Sequence, residues 1–173
     1  MISQSINNLD ELLELLIKDK SGYYIEQKSI SSKEEIDGHT IYSKFKFFKS
    51  KITPILIEQH LRKDINLAIS LKDSNAIVYE YSGKYKDAFT TLLKHYFEEE
   101  NIRDIYIIDN NNQKIILYIP LTIEEKRVIS DITKNIEKKL ENKIPKEWRV
   151  LPNILRPEIG NLLILPREFI EWD

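Results

Sequence analysis

The chain has 173 residues, 26 Lys+Arg against 28 Asp+Glu, and no cysteine. That length, with 42% hydrophobic and 31% charged residues, suits one globular domain with a real core, read as a single unit over 1–173. The missing cysteines exclude disulfides, thiolate metal sites and a cysteine nucleophile, and a net charge of −2 leaves any nucleic-acid binding to a local patch.

The start, MISQSINNLDE, has neither the basic opening nor the apolar core of a signal peptide, and no run reaches the ~18 apolar residues of a membrane span. A cytoplasmic protein with no membrane partner is expected. Asn8 with Glu11 forms a capping box, and Leu9, Leu12, Leu13, Leu16 and Ile17 follow helical spacing behind it. Two extended stretches come next, residues 22–30 and 39–48, and the polar run 31–38 reads as the turn of a hairpin between them. Thr53-Pro54 opens a short helix, with the hydroxyl as cap and proline in the first turn, running to about Lys63.

Two strands, 65–71 and 75–82, flank Lys72-Asp73-Ser74. A helix carrying Tyr85, Phe89, Leu92, Leu93, Tyr96 and Phe97 follows Ser82-Gly83. A hairpin of 104–109 and 114–120 turns at residues 110–113. Thr122 with Glu125 makes a second capping box, ahead of a helix that buries Val128, Ile129, Ile132, Ile136 and Leu140. Pro145 ends it, and a proline-punctuated segment leads to a last strand at 161–166. The expected class is α+β, a mostly antiparallel sheet with packed helices. No Gly-rich phosphate loop is present.

The run Tyr42 to Lys51 is basic and aromatic. Strand alternation would place Lys44 and Lys46 on one face and Phe45 and Phe47 on the other, with the aromatics in the core. Lysines on such a strand could hold phosphates, with Arg62 and Lys63 extending the patch, but stacking aromatics should share the lysine face. Glu98-Glu99-Glu100 stands at the unfavourable end of a helix dipole and reads as a solvated terminus neutralised by a lysine or a partner. Asp104 and Asp109 fall on opposite strand faces and form no two-carboxylate site alone. Glu80 lies in a strand with Ser82 on the same face, a poor divalent-cation site. His39, His60 and His95 match no Ser/His/Asp or H-E-x-x-H pattern and read as surface or satisfied residues.

The ordered motifs go further. Residues 16–24, the 55–71 segment containing His60-Leu61-Arg62-Lys63, the strand Ala76-Ile77-Val78-Tyr79-Glu80-Tyr81-Ser82, and Arg149-Val150-Leu151-Pro152-Asn153 followed by Gly160-Asn161-Leu162-Leu163-Ile164-Leu165-Pro166 together resemble the archaeo-eukaryotic primase (primase-polymerase) superfamily. The likeness covers about 9–167 and implies a primase-like, RRM-related core. In that resemblance the first two metal-binding Asp positions fall on Glu80 and Ser82. The nucleotide-binding His falls on Ile116, and the third metal-binding Asp on Trp148. One carboxylate of three remains, too little to hold the two ions of nucleotidyl transfer. The resemblance therefore implies no catalysis, no metal and no cofactor. It implies an accessory subunit of a DNA primase or replication complex, supporting primer initiation by binding template, nucleotide or the catalytic subunit.

Lys44, Lys46, Arg62, Lys63, Lys114 and Arg149 would contact single-stranded DNA or primer-template. A protein-interaction module without a nucleic-acid role is the alternative, supported by the near-neutral charge. An active nucleotidyltransferase using Glu80, joined by Glu147, is disfavoured by Trp148 standing where a ligand is needed.

Overall fold

Asn8 caps the first helix as its sequence requires: its Oδ1 accepts from the Glu11 N–H at 2.9 Å, and Glu11 reaches back to accept from the Asn7 N–H at 2.8 Å. In chain order the elements of the computed structural model are α1 (Leu9–Ile17), β1 (Tyr23–Glu26), β2 (Ser32–Ile36), β3 (His39–Ser43), β4 (Phe45–Phe48), α2 (Pro54–Leu61), β5 (Leu67–Ser70), β6 (Ala76–Ser82), α3 (Lys86–Glu99), β7 (Tyr106–Asn111), β8 (Lys114–Pro120), α4 (Ile123–Glu141), β9 (Trp148–Leu151), a 3-10 turn (Glu158–Gly160) and β10 (Leu162–Ile164). The structure describes residues 6–72, 74, 76–102, 106–111, 114–120, 123–153 and 155–169, and within 106–127 the backbone alone. Asp104, Thr122 and the Asn112-Gln113 part of the expected loop lie outside the described residues, as do the side chains of Asp109, Lys114, Ile116 and Glu125. The class is α+β, with every described strand pairing antiparallel.

The chain divides into two compact units: a flanking unit of Ile6–Ser74 and Pro152–Arg167, and an inserted unit built on Asn75–Leu151. The flanking unit holds a four-stranded sheet in the order β10-β5-β1-β4 and the separate two-stranded ribbon β2-β3.

The first hairpin lies elsewhere than the sequence predicts. Residues 32–36 are not a turn but strand β2, paired with β3 through Asp37-Gly38. Both turn residues have positive φ, 49° and 78°, the geometry of a type I′ turn. The extended stretch 39–48 breaks at Lys44, so β3 serves the ribbon while β4 pairs with β1. Thr53 caps α2 by accepting from the Leu56 N–H, as its sequence predicts.

The inserted unit runs β6-α3-β7-β8-α4-β9, with sheet order β7-β8-β6-β9. This is the split-βαβ, ferredoxin-like arrangement. Strand β9 fell within the segment expected to be irregular; its four residues gain strand structure from pairing with β6. Ile77, Tyr79 and Tyr81 of β6, with Trp148 of β9, pack against Phe89, Leu93, Tyr96 and Phe97 of α3 and Ile136 and Leu140 of α4. Each such side chain contributes about 1.5–3 kcal/mol by leaving water.

Two expected core residues depart from this pattern. Val128 is exposed, because at ~100° per residue it falls about 90° from the centre of the stripe formed by Ile129, Ile132, Ile136 and Leu140. Tyr85 precedes the first turn of α3 and is 38% exposed, while its backbone N–H is held by the Tyr81 hydroxyl at 2.8 Å. Lys139 of α4 reaches Glu99 at 3.2 Å, the lysine that the acidic end of α3 called for. Among the described residues, no helix is long and apolar enough to cross a membrane.

Candidate functional site

Strand alternation splits β6 into two faces. Tyr79 and Tyr81 turn to the helices, and Glu80 and Ser82 turn away. The register then sets Glu80 opposite Arg149 on β9 and Ile116 on β8, and Ser82 opposite Lys114. Thus Glu80, Ser82, Lys114, Ile116 and Arg149, drawn from three strands, meet at neighbouring positions of one sheet.

Glu80 is only 8% exposed, and Arg149 answers its charge. Arg149 donates to Glu80 Oε2 from Nη2 at 2.9 Å and from Nε at 3.3 Å. A carboxylate this buried needs a partner, and a cross-strand guanidinium supplies it with charge-assisted hydrogen bonds. The arrangement suits a fixed ion pair rather than a cation site: a divalent metal would have to compete with the guanidinium for the same oxygen. Among the described residues no group of three or more His, Cys, Asp or Glu could hold a metal ion.

Trp148 and Glu147 lie away from Glu80. Trp148 pairs with Tyr81, on the helical face, and its ring lies 5.8 Å from Phe89. One residue of register carries it to the side opposite Glu80, so Arg149, not Trp148, faces the carboxylate. Glu147 accepts from the Tyr81 hydroxyl at 2.8 Å and does not join Glu80. Burial and the Glu147 hydrogen bond push the Tyr81 phenol above its ordinary pKa. A Cβ at Gly83 would overlap the Glu147 carboxylate and push it from the Tyr81 hydroxyl.

The remaining expected contacts belong to the flanking unit. Arg62 is bound by Glu58 and Asp64, each at 3.3 Å, and is exposed. Lys63 follows α2 in a left-handed conformation, φ 68°, and is exposed. Lys44 and Lys46 are exposed too, but not as sequence predicted. Lys44 occupies the break between β3 and β4 rather than a common strand face. Phe48 shares the face of Lys46, whose Nζ lies 5.5 Å from its ring centroid, and Phe47 is 49% exposed instead of core.

His60 is a satisfied helix residue, and fully buried. Its Nδ1 accepts from the Leu67 N–H at 3.1 Å, so Nε2 carries the proton and donates to the Leu165 carbonyl at 2.8 Å. Burial, then the nearby Arg167 guanidinium, holds its pKa below the usual imidazole value. Arg167 donates to the carbonyls of His60 and Ile65 and to Asn66 Oδ1. His95 pairs with Glu99 at 3.3 Å on the surface, and His39 is exposed at the start of β3.

Sequence reasoning missed two structural hubs. Arg167 lies just past the last expected strand, and no local pattern flags it. Asn161 stood in the Gly160-Asn161-Leu162 run but carried no assigned role. It is fully buried: its Oδ1 accepts from the Asn153 N–H at 2.6 Å, while Nδ2 donates to the carbonyls of Asn153, Arg156 and Pro157. A lone asparagine between apolar residues and after glycine was the available signal.

The profile of a family described as a domain of unknown function, DUF1882, matches residues 9–80, from α1 to Glu80 in β6. No curated protein matches the chain.

Proposed function

We propose that the chain is a non-catalytic, primase-like accessory protein of a DNA primase or replication complex, supporting primer initiation by binding template, nucleotide or the catalytic subunit. The observation that carries this reading is the Glu80–Arg149 pair. In the primase resemblance Glu80 stands for the first metal-binding carboxylate, and here a guanidinium takes the place beside it. Nucleotidyl transfer on two metals needs several carboxylates converging on the ions. A carboxylate already bound by a guanidinium does not supply that convergence. The described residues at this site do not fit the two ions.

The split-βαβ order of the inserted unit supports the same reading, since it is the RRM-related arrangement that the resemblance implies. Arg149, half-exposed beside Glu80, is a cationic group able to position a phosphate without reading bases. Two measurements test the proposal. The isolated chain, given template, nucleoside triphosphates and Mg²⁺ or Mn²⁺, makes no dinucleotide. Purified from its native source, it brings down a catalytic primase whose initiation rate it raises. Template-dependent synthesis abolished by Glu80→Ala would overturn the non-catalytic reading. A stable complex lacking any nucleotidyltransferase would replace the accessory role with a protein-interaction module outside replication.

A further inference from the structure

Charge in this chain is unevenly placed. Between Asp37 and Glu58 there is no acidic residue, while Lys44, Lys46, Lys49 and Lys51 crowd into eight positions of a protein whose net charge is −2. All four lysines are exposed. Among the described residues none of the four forms an ion pair with a carboxylate, whereas Arg62, Lys139, Lys146 and Arg149 each do. The segment lies on β4, at the border of the four-stranded sheet of the flanking unit, and on the chain either side of it.

Two aromatic rings of the same stretch of sequence are open, Tyr42 on β3 and Phe47 on β4. Tyr42 is 60% and Phe47 49% exposed, although strands ordinarily turn such rings inward. Phe47 lies across Gly22, where a Cβ would collide with the ring, and its centroid is 5.1 Å from that of Tyr24. The ring is thus supported from beneath and open above. Alternation sets Lys46 and Phe47 on opposite faces of β4, but β4 is the last strand of its sheet and Lys44, Lys49 and Lys51 lie off the strand, so the lysines are not confined to the face away from Phe47.

We infer that Tyr42, Lys44, Lys46, Phe47, Lys49 and Lys51 form a track for single-stranded nucleic acid. Unpaired lysines in a row attract a phosphate backbone, and exposed rings stack on bases that a duplex keeps hidden. Carboxylates give the track a direction. Glu26 shares the Phe47 face of the sheet, and Glu158 accepts from the Tyr24 hydroxyl at 2.9 Å. Phosphates therefore follow the lysine border while bases turn toward Phe47. The inference rests on the nucleic-acid-binding part of the proposed function and names where, and in which strandedness, that binding occurs.

Fluorescence anisotropy of a labelled oligothymidine strand, titrated with the full chain from low to physiological salt, tests it. The quadruple variant K44A/K46A/K49A/K51A should lower the log–log salt slope by about 2.8, at ~0.7 per phosphate contact on a single strand. The double variant Y42A/F47A should leave that slope unchanged and weaken binding about tenfold or more. A labelled duplex should bind more weakly and ignore the aromatic change. Circular dichroism establishes that each variant is folded.

No binding of the strand at low salt would overturn the inference, as would an unchanged slope in the quadruple variant. Equal affinity for duplex or anionic vesicles, indifferent to Y42A/F47A, would overturn it too. Strand binding lost in Arg149→Met but kept in the quadruple variant would also overturn it, moving the site to the β6–β9 face. The accessory role is judged separately, by co-purification and initiation, so each can fail without the other.

Discussion

Replacing His60 by leucine isolates the polar anchor of the flanking unit. Leucine fills much of the same space but can neither accept from the Leu67 N–H nor donate to the Leu165 carbonyl, both of which His60 satisfies from a fully buried position. Each orphaned buried group costs ~1–3 kcal/mol, so the variant should lose about 4 kcal/mol, a large part of the ~5–15 kcal/mol that holds a domain folded. The same geometry fixes a pH dependence. Protonation would put a hydrogen on Nδ1, facing the Leu67 N–H it now accepts from and the Arg167 guanidinium 3.4 Å away. The folded state therefore resists protonation, and its imidazole pKa lies below the ordinary 6.5.

Below 6.5 the unfolded chain binds the proton and the folded chain does not. Stability then falls with pH, by at most about 1.4 kcal/mol per pH unit, until the folded-state value is reached. Leucine has no such term, so the gap between wild type and His60→Leu should shrink as pH drops. Urea unfolding of both proteins between about pH 7.5 and 5.5 measures it, and other titrating groups cancel in the difference. A loss under about 1 kcal/mol at the upper pH, or a gap that holds constant as pH falls, would refute the reasoning.

Arg149→Met should destabilise by about 1–3 kcal/mol, because Glu80 stays buried without its main cation; a double-mutant cycle with Glu80→Gln should return a coupling of ~1 kcal/mol or more, and zero coupling would dismiss the pair. Gly83→Ala should cost about 1–2 kcal/mol by displacing Glu147 from the Tyr81 hydroxyl, and should add little once Tyr81→Phe has removed that bond; thermal melts of the three variants decide it. Asn161→Leu should cost about 3 kcal/mol, since it strips partners from the Asn153 N–H and from three carbonyls, and a chemical-denaturation midpoint unmoved by it would contradict the hub.

How much could be read in advance follows the range of each interaction. The Asn8 and Thr53 caps involve residues three apart, so the local pattern is enough to place α1 and α2. Asp37-Gly38 is also a local signal, the preferred pair of a type I′ turn, and reading it would have turned residues 31–38 from a loop into one arm of a ribbon. Positive charge between Lys44 and Lys51 was visible as well; that Phe47 is open was not. Its exposure depends on the break at Lys44 and on Gly22 from a different strand.

The amino-acid order by itself determined the α+β class, the helical stripes, the caps and the positions of Glu80 and Ser82 on one strand face, because each depends on periodicity or on contacts a few residues long. Tertiary structure alone decided what those faces meet. A one-residue difference in the β6–β9 register separates Arg149, which answers Glu80, from Trp148, which lies on the other side. That register joins residues 69 apart in the chain, and the His60–Leu165 bond joins residues 105 apart. No periodicity encodes such separations. They arise when strands pair and buried polar groups must find partners, and that requirement gave His60, Asn161 and Arg149 their places.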